Sequence, residues 1–149
     1  MKSRSLHARI YAVRHQKGVT LIELLLVMVI IAILGGIAIP AYKNYVVKTN
    51  RSAAKACLSE YAQFMERYYT TNLSYAGASP GSIGCASDAN LNVAYNFTVS
   101  VNVNSPRLYT VTATPRAAQL SRDSQCGTLT LDQAGTKTNS GTAALSKCW

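Results

Sequence analysis

The chain has 149 residues, of which 48% are hydrophobic and only 14% are charged, and its 15 Lys and Arg against 6 Asp and Glu give a formal net charge of +9. A chain this short and this apolar holds at most one modest hydrophobic core, and its composition excludes intrinsic disorder, collagen and low-complexity sequence. The excess of positive charge suggests a nucleic-acid-binding protein, a hypothesis that depends on where the charges lie.

The positive charge is concentrated at the amino terminus. Residues 1–18 contain five basic and no acidic residues, so this segment carries +5, and the rest of the chain carries 10 − 6 = +4. Both histidines, His7 and His15, also lie in this segment. The rest of the chain therefore lacks the imidazole of Ser-His-Asp and Cys-His catalysis and of most zinc sites. We expect no enzyme activity, no metal site and no cofactor.

An apolar segment follows the basic one. Residues 19–39 read VTLIELLLVMVIIAILGGIAI, in which only Thr, Glu and two Gly interrupt the apolar run. As a helix this segment would be about 32 Å long, which matches the hydrocarbon core of a bilayer. It is longer than the apolar region of a secretory signal peptide and no A-x-A-like cleavage site follows it, so we expect it to persist in the mature protein. The preceding basic residues predict a cytoplasmic amino end, with the remainder of the chain across the membrane.

The junction between these two segments carries a family resemblance. The run Lys17-Gly18-Val19-Thr20-Leu21-Ile22-Glu23, followed by apolar residues and Pro40, resembles the class III signal of type IV prepilins and of the related pseudopilins. The resemblance implies cleavage between Gly18 and Val19 by prepilin peptidase on the cytoplasmic face, and then N-methylation of Val19. Two features depart from the common pattern: mature pilins of this family most often begin with Phe, and many of their leaders are much shorter than this one.

Glu23 is a carboxylate inside an otherwise apolar helix. Insertion scales give a cost of about 2.5–3.5 kcal/mol for Asp at the centre of such a helix, so a residue of this kind usually faces a partner. Cleavage would free an α-amino group at Val19, and the resemblance implies that Glu23 pairs with the terminal amine of a neighbouring subunit during assembly. The alternative is a carboxylate that simply reaches the membrane surface from near the helix end.

Gly35, Gly36 and Pro40 weaken one short region of the same helix. Each Gly costs about 1 kcal/mol relative to Ala, and Pro removes a backbone hydrogen bond. Two interpretations stay open. One is the ordinary tolerance of membrane helices for Gly and Pro; the other, which the resemblance suggests, is a kink or a stretch that melts when the subunit passes from bilayer to filament.

Helical spacing continues beyond the apolar segment to about residue 70. Apolar residues recur there at spacings of three, four or seven and predict a face that packs on a domain. One series is Val46, Ala53, Cys57, Tyr61, Phe64 and Tyr68, and a second, which widens it, is Ala54, Leu58, Ala62, Met65 and Tyr69. Residues 71–93 are rich in Ser, Gly, Ala and Asn and predict a connecting loop.

The spacing of apolar residues then changes to two, which predicts strands. The first strand has Tyr95, Phe97, Val99, Val101 and Val103 on one face, and the second has Tyr109, Val111 and Ala113. Asn104-Ser105-Pro106 predicts the turn between them, and Gly127 to Asp132 predicts a third strand. Short successive strands favour an antiparallel meander whose apolar face rests on the helix, an α+β fold like that of type IV pilins. The opposite face carries Asn, Ser and Thr, for which we prefer a solvated surface over an adhesion or glycan-binding surface.

Four cysteines lie on the side expected to be outside the cytoplasm, so an even count favours two disulfides. Four cysteines allow three connectivities. The pairs Cys57–Cys85 and Cys126–Cys148 are favoured because they close short loops, and the second would resemble the carboxyl-terminal disulfide loop of pilins. Each would stabilise the fold by about 3–4 kcal/mol. The other two connectivities stay open.

Three functions compete. The ending CGTLTLDQAGTKTNSGTAALSKCW and the segment Glu66 to Asn72 resemble PilE-like and ComP-like minor pilins, which favours a structural pilus subunit. Its expected parts are a leader (1–18), a transmembrane and filament-core helix (19–40) and a periplasmic head (41–149), and its expected partners are other pilin subunits, prepilin peptidase and the inner-membrane pilus assembly machinery. The second hypothesis is a pilus-borne DNA receptor for natural transformation, with scattered basic residues as contacts. These residues are Arg107, Arg116, Arg122, Lys137 and Lys147. The third is a type II secretion pseudopilin.

Overall fold

The structure is a computed structural model, and it describes residues 18–81, 83–102 and 104–149. The basic leader up to Lys17, and Val103 of the first predicted strand, lie outside the described residues. The chain divides into two compact units between Ala38 and Ile39. Helix α1 begins in the first unit at Leu21 and ends in the second at Asn72. These bounds lie within about two residues of the helix that the spacing of apolar residues predicts.

Thr20 determines where α1 begins. Its hydroxyl Oγ1 accepts the backbone N–H of Glu23 at 3.3 Å, and its carbonyl accepts the N–H of Leu24 at 3.2 Å. The sequence Thr-x-x-Glu has the residue types of a capping box, in which the first residue satisfies N–H groups that the first helical turn leaves free. Helix formation therefore starts directly after Thr20, and Glu23 lies in the first turn.

The first unit presents its apolar side chains outward. From residue 18 to residue 38, the large hydrophobic side chains are between 47% exposed, at Val27, and 80% exposed, at Leu21. By length and composition α1 could span a membrane, and no other helix among the described residues meets that test. An exposed apolar surface of this extent requires lipid or protein around it.

α1 continues without a break through Gly35, Gly36 and Pro40. Pro40 has no N–H to donate to the carbonyl of Gly36, four residues earlier. A Cβ at Gly35 or Gly36 would meet nothing within 4 Å, so no contact within the described chain requires glycine at either position. Both interpretations of these residues therefore stay open.

The second unit packs the carboxyl-terminal half of α1 against a four-stranded sheet. All neighbouring strands are antiparallel and their order is the order of the chain. The strands are β1 (Tyr95–Asn102), β2 (Ser105–Pro115), β3 (Leu129–Asp132) and β4 (Lys137–Asn139). The short helices are a 3-10 turn (Gly84–Ser87), α2 (Ala89–Ala94), α3 (Ala117–Leu120) and α4 (Leu145–Cys148). This arrangement confirms the predicted α+β meander.

The core lies between α1 and the inner face of the sheet. The buried residues of α1 are Val47, Ala54, Cys57, Leu58, Tyr61 and Met65, and those facing them from the strands include Tyr95, Val111 and Leu129. The helix face is therefore centred about one residue later than the series that starts at Val46, in which Ala53 is exposed. Spacing alone could not separate the two series because both lie within one wide apolar stripe.

The structure corrects two local predictions and adds one strand that was not predicted. The expected loop 71–93 contains the 3-10 turn and α2, whose amino end is capped by the Asp88 carboxylate through the N–H groups of Asn90 and Leu91, both at 3.0 Å. The turn after β1 is tighter than expected, because Asn102 is paired with Ser105 and Pro106 already belongs to β2. β4 was missed. β4 contains no apolar residue whose alternation could be seen, and the 3-10 turn and α2 are too short to show a helical period.

The two disulfides of the structure join Cys57 to Cys85 and Cys126 to Cys148, with Cα atoms 5.5 and 5.4 Å apart. These are the two pairs that were favoured from the sequence because they close short loops. The first holds the 3-10 turn against α1, and the second holds α4 against the segment before β3. Both bonds therefore attach segments with little regular structure of their own to the core.

Candidate functional site

The residues expected to direct processing and assembly lie at the amino end of the described chain. A Cβ at Gly18 would meet nothing within 4 Å, and the side chain of Val19 is 70% exposed. Glu23 is exposed in the first turn of α1, where the helix dipole favours a negative charge. Among residues 18–81, 83–102 and 104–149 the structure forms no ion pair with Glu23. A cation from outside this part of the chain could therefore pair with it.

The structure places the five basic residues suggested for DNA contact in different settings. Arg116 donates to the side chain of Asn92 at 3.2 Å, Lys137 lies 5.2 Å from the centre of the Trp149 ring, and Arg107 is exposed on β2. These three do not line a common site. Arg122 and Lys147 line one common groove, because α3 and α4 place them on the same side of α1.

A groove with a volume of about 470 Å³ brings Arg122 and Lys147 together with Lys48 and Arg51 of α1. We call this the basic groove. Asp123 is the only acidic residue among the described residues that line it, so the charge of this lining is 4 − 1 = +3. The Arg51 guanidinium is paired with the Asp123 carboxylate and also donates to the Lys147 carbonyl at 3.3 Å. Within the described chain the charges of Lys48, Arg122 and Lys147 are left without an acidic partner.

A cluster of buried polar side chains forms hydrogen bonds with Asp123, one of the residues that line the basic groove. The Gln119 amide donates to the carbonyl of Val47 at 3.1 Å and to Asp123 Oδ2 at 3.3 Å, and the Tyr95 hydroxyl donates to the same carboxylate at 3.4 Å. Burial, followed by the charge of Asp123, raises the pKa of Tyr95 to about 12. These bonds orient the carboxylate that holds Arg51.

Sequence reasoning missed both Lys48 and Arg51 as partners of Arg122 and Lys147. Lys48 and Arg51 stand on a helix face that the amphipathic pattern marks only as polar, and Arg51 is 72 residues from Asp123. No sequence pattern pointed to this group of residues, because the basic residues form no run along the chain. Only the packing of α3 and α4 beside α1 collects them.

Two family models match the chain. Residues 40–130 match the family described as "Type IV minor pilin ComP, DNA uptake sequence receptor", and residues 13–39 match the prokaryotic N-terminal methylation motif. The second match spans the junction of basic and apolar segments, including Gly18, Val19 and Glu23. The first covers most of the second unit, including Lys48, Arg51 and Arg122, and ends before Lys147.

Several relatives are pilins. The chain is 38% identical to the wide pilus major component PilA4 of Thermus thermophilus over 94 residues, which are 62% of this chain and 70% of PilA4. It is 49% identical to the fimbrial protein EcpC of Eikenella corrodens over 53 residues (31% of this chain, 35% of EcpC) and 38% identical to the major pilin PilE1 of Neisseria gonorrhoeae over 74 residues (45% of each). The chain thus spans less than half the length of EcpC and PilE1.

Among solved structures, the minor pilin PilV of Neisseria meningitidis is 25% identical, with a TM-score of 0.46, over 68% of this chain and 93% of PilV. The family assignment rests on the sequence models. Because the ComP model matches more than half of the chain, directly after a methylation motif, the chain belongs to the ComP family of type IV minor pilins.

Proposed function

We propose that this chain is a structural subunit, of the minor class, of a type IV pilus. Residues 1–18 are its leader, residues 19–40 anchor it in the bacterial inner membrane and then pack in the filament core, and residues 41–149 form a head that is periplasmic before assembly and extracellular afterwards. The observation that carries the proposal is the fully outward-facing apolar surface of α1 within and directly after the methylation motif. The proposal assigns no catalysis to the chain.

The energetics of this surface favour an apolar environment, which in this proposal is lipid before assembly and other helices afterwards. Burial of one Leu, Ile or Val side chain contributes about 1.5–3 kcal/mol, so the segment does not stay in water. Lipid tails are as apolar as the side chains, so transfer from lipid into a bundle of helices gains only packing and polar pairing. An exposed Glu23 in the first turn suits such pairing, and the α-amino group of Val19 on a neighbouring subunit supplies the opposite charge.

Processing depends on a second partner, prepilin peptidase, which cleaves between Gly18 and Val19 and N-methylates Val19. The fold leaves room for a side chain at residue 18. A requirement for glycine there therefore comes from the peptidase and not from packing. We expect Gly18→Ala to block cleavage while the head, with both disulfides, folds unchanged.

The assembly role is tested in a piliated host that supplies the peptidase and the inner-membrane assembly machinery. Sheared filaments are analysed by intact-mass spectrometry, and the expected mass is that of residues 19–149 with one added methyl group and two disulfides. Glu23→Gln keeps the residue shape and a capping side chain but removes the charge. We expect this variant to be cleaved and to be absent from filaments.

Glu60→Gln is the matched control, because Glu60 is also an exposed glutamate of α1. It should enter filaments at the level of the unchanged protein. If Glu23→Gln enters them equally well, charge pairing by Glu23 is not part of assembly; if the unchanged chain is never found in filaments, the subunit function itself is wrong.

A second candidate function is DNA reception, and the basic groove is the observation that favours it. A lining charge of +3 in an open groove suits contacts with phosphate groups. The full chain in dodecylphosphocholine micelles is titrated with a double-stranded oligonucleotide at several salt concentrations. Arg122→Gln and Lys147→Gln should each weaken binding and lower the salt slope by about 1, whereas Arg107→Gln, outside the groove, should do neither. Absence of binding at low salt rejects this function. The ComP match gives no comparable support to a type II secretion pseudopilin.

A further inference from the structure

A polar cavity lies at one end of the sheet, at the end of the β1–β2 pair that is opposite to Tyr95 and Pro115. Its volume is about 450 Å³, and the lining side chains belong to β1, β2, β3 and the turn after β3. The polar members are Ser100, Asn102, Thr110, Asp132 and Gln133. No basic residue is among the described residues that line it. The cavity therefore differs in chemistry from the basic groove, and we call it the polar cavity.

The register of the sheet explains how these residues meet. Ser100 lies opposite Thr110, and Thr110 lies opposite Asp132, so the three form one row across three strands. The next row toward the centre of the sheet consists of four threonines, one from each strand. They are Thr98, Thr112, Thr130 and Thr138. This row of threonines thus lies next to the lining residues of the cavity, one row further along the strands.

In three side chains of the polar cavity, one oxygen atom already accepts a hydrogen bond from a backbone N–H group. Asp132 Oδ1 accepts the N–H groups of Ala134 and Thr136 at 2.9 and 2.7 Å. Gln133 Oε1 accepts the N–H of Tyr109 at 3.3 Å. In the same way, Asn102 Oδ1 accepts the N–H of Asn104 at 3.0 Å. Backbone groups therefore orient all three side chains before any ligand arrives.

Gln133 Nε2 and Asn102 Nδ2 have no hydrogen bond to the described residues. The Asp132 carboxylate also accepts from the Thr136 side chain, and its lone pairs leave room for a further donor at Oδ2. The cavity thus offers one carboxylate oxygen that accepts and two amide groups that donate, with hydroxyls that do both. Leu108, 41% exposed, adds one apolar contact.

This set of groups selects among ligands. An anion would meet the charge of Asp132 with no lining cation to compensate, and a calcium ion requires six to eight oxygen ligands, typically with more than one carboxylate. Adjacent hydroxyl groups of a sugar can donate to the carboxylate and accept from the amides, while a C–H face of the ring rests on Leu108. We propose that the polar cavity binds a neutral oligosaccharide through adjacent hydroxyl groups of one sugar residue, with the threonine row contacting the next.

The full chain, labelled with ¹⁵N in dodecylphosphocholine micelles, tests the proposal by NMR titration with cellohexaose, chitohexaose and maltohexaose. At least one of these sugars should cause saturable shifts of the side-chain amide signals of Asn102 and Gln133. Asp132→Asn keeps an oxygen for Ala134 and Thr136 but replaces the free acceptor by a donor, so it should weaken binding about tenfold. Gln133→Ala should also weaken it.

Asn96→Ala is the matched control, because Asn96 lies on the same face of β1 but opposite Thr114, away from the cavity. Its affinity for the sugar should equal that of the unchanged chain. No saturable response to any of the three sugars overturns the proposal. Unchanged affinity in both Asp132→Asn and Gln133→Ala, or an equal loss in Asn96→Ala, overturns it as well.

Discussion

The Arg51 guanidinium and the Asp123 carboxylate form an ion pair that joins α1 to the segment after α3 across 72 residues of sequence. The two side chains are 14% and 6% exposed. Because Asp123 also accepts hydrogen bonds from Tyr95 and Gln119, the pair and its neighbours fix the wall of the basic groove.

Asp123→Ala should destabilise the head strongly. It leaves the Arg51 guanidinium, whose side chain is only 14% exposed, without an acidic partner, for which we expect a loss of about 3 kcal/mol. The double replacement Arg51→Met with Asp123→Leu removes both charges and should cost less than Asp123→Ala alone. Chemical denaturation followed by the fluorescence of Trp149, the single Trp of the chain, measures both. A double variant less stable than Asp123→Ala would contradict this view of the pair.

Glu66 should act as a shared acceptor. The hydroxyls of Tyr75 and Tyr109 both donate to its Oε1 at 3.0 Å, which ties the segment after α1 and strand β2 to the helix. Tyr109→Phe should lower the free energy of unfolding by about 1–2 kcal/mol. Glu66→Gln keeps an acceptor and should cost less. Tyr68→Phe, which removes an exposed bond to the Ala76 carbonyl, is the control and should have the smallest effect.

Alkaline pH should destabilise the head. Burial, then the Glu66 carboxylate, raises the pKa of Tyr75 to about 12, and burial, then Asp123, raises the pKa of Tyr95 to about 12. The same causes, burial and then Glu66, raise the pKa of Tyr109. A folded-state pKa above the usual 10 means that stability is intact below pH 10 and falls as the pH rises to 12.

Tyrosinate absorbance of the folded protein, compared with that of the denatured protein, measures this effect. The folded protein should retain a group of tyrosines that ionise only as it unfolds, and Tyr95→Phe should remove one of them. Titration of all nine tyrosines near pH 10 in the folded protein would be inconsistent with the packing described.

Gly35→Ala with Gly36→Ala should stabilise α1 locally. Open space surrounds both positions, and each exchange should favour the helix by about 1 kcal/mol. Amide hydrogen exchange around residue 36 should slow in micelles. The same variant separates the two interpretations of these glycines: normal incorporation into filaments supports ordinary tolerance, whereas loss of incorporation supports a helix that must bend or melt.

Gly141→Ala should disturb the carboxyl-terminal loop. A Cβ there would overlap the carbonyl of Gln125, whose oxygen also accepts the N–H of Ala143 at 2.9 Å. We expect a loss of about 1–3 kcal/mol from overpacking. Gly84→Ala is the matched control, because its Cβ would meet nothing within 4 Å. Equal unfolding midpoints for both variants would show that the loop moves aside without cost.

The sequence predicted the larger features well. The long apolar run before Pro40, the alternation from Tyr95 and the cysteine spacing indicated α1, β1 and the two disulfide pairs. Strong periodic signals over many residues made this possible. The strand β4 was missed because it has no apolar residue, and α2 because six residues are too few to show a helical period. The choice between Ala53 and Ala54 on α1 required the position of the sheet.

The sequence by itself determined the match to the N-terminal methylation motif and the apolar run that is long enough to span a membrane, because both are local features of the chain. It also determined the class of fold, since the periods of apolar residues are local. Only the tertiary structure decided which polar groups meet. The pair of Arg51 with Asp123, the basic groove and the row from Ser100 to Asp132 join residues far apart in sequence. Such contacts depend on strand register and helix packing, which no local pattern encodes.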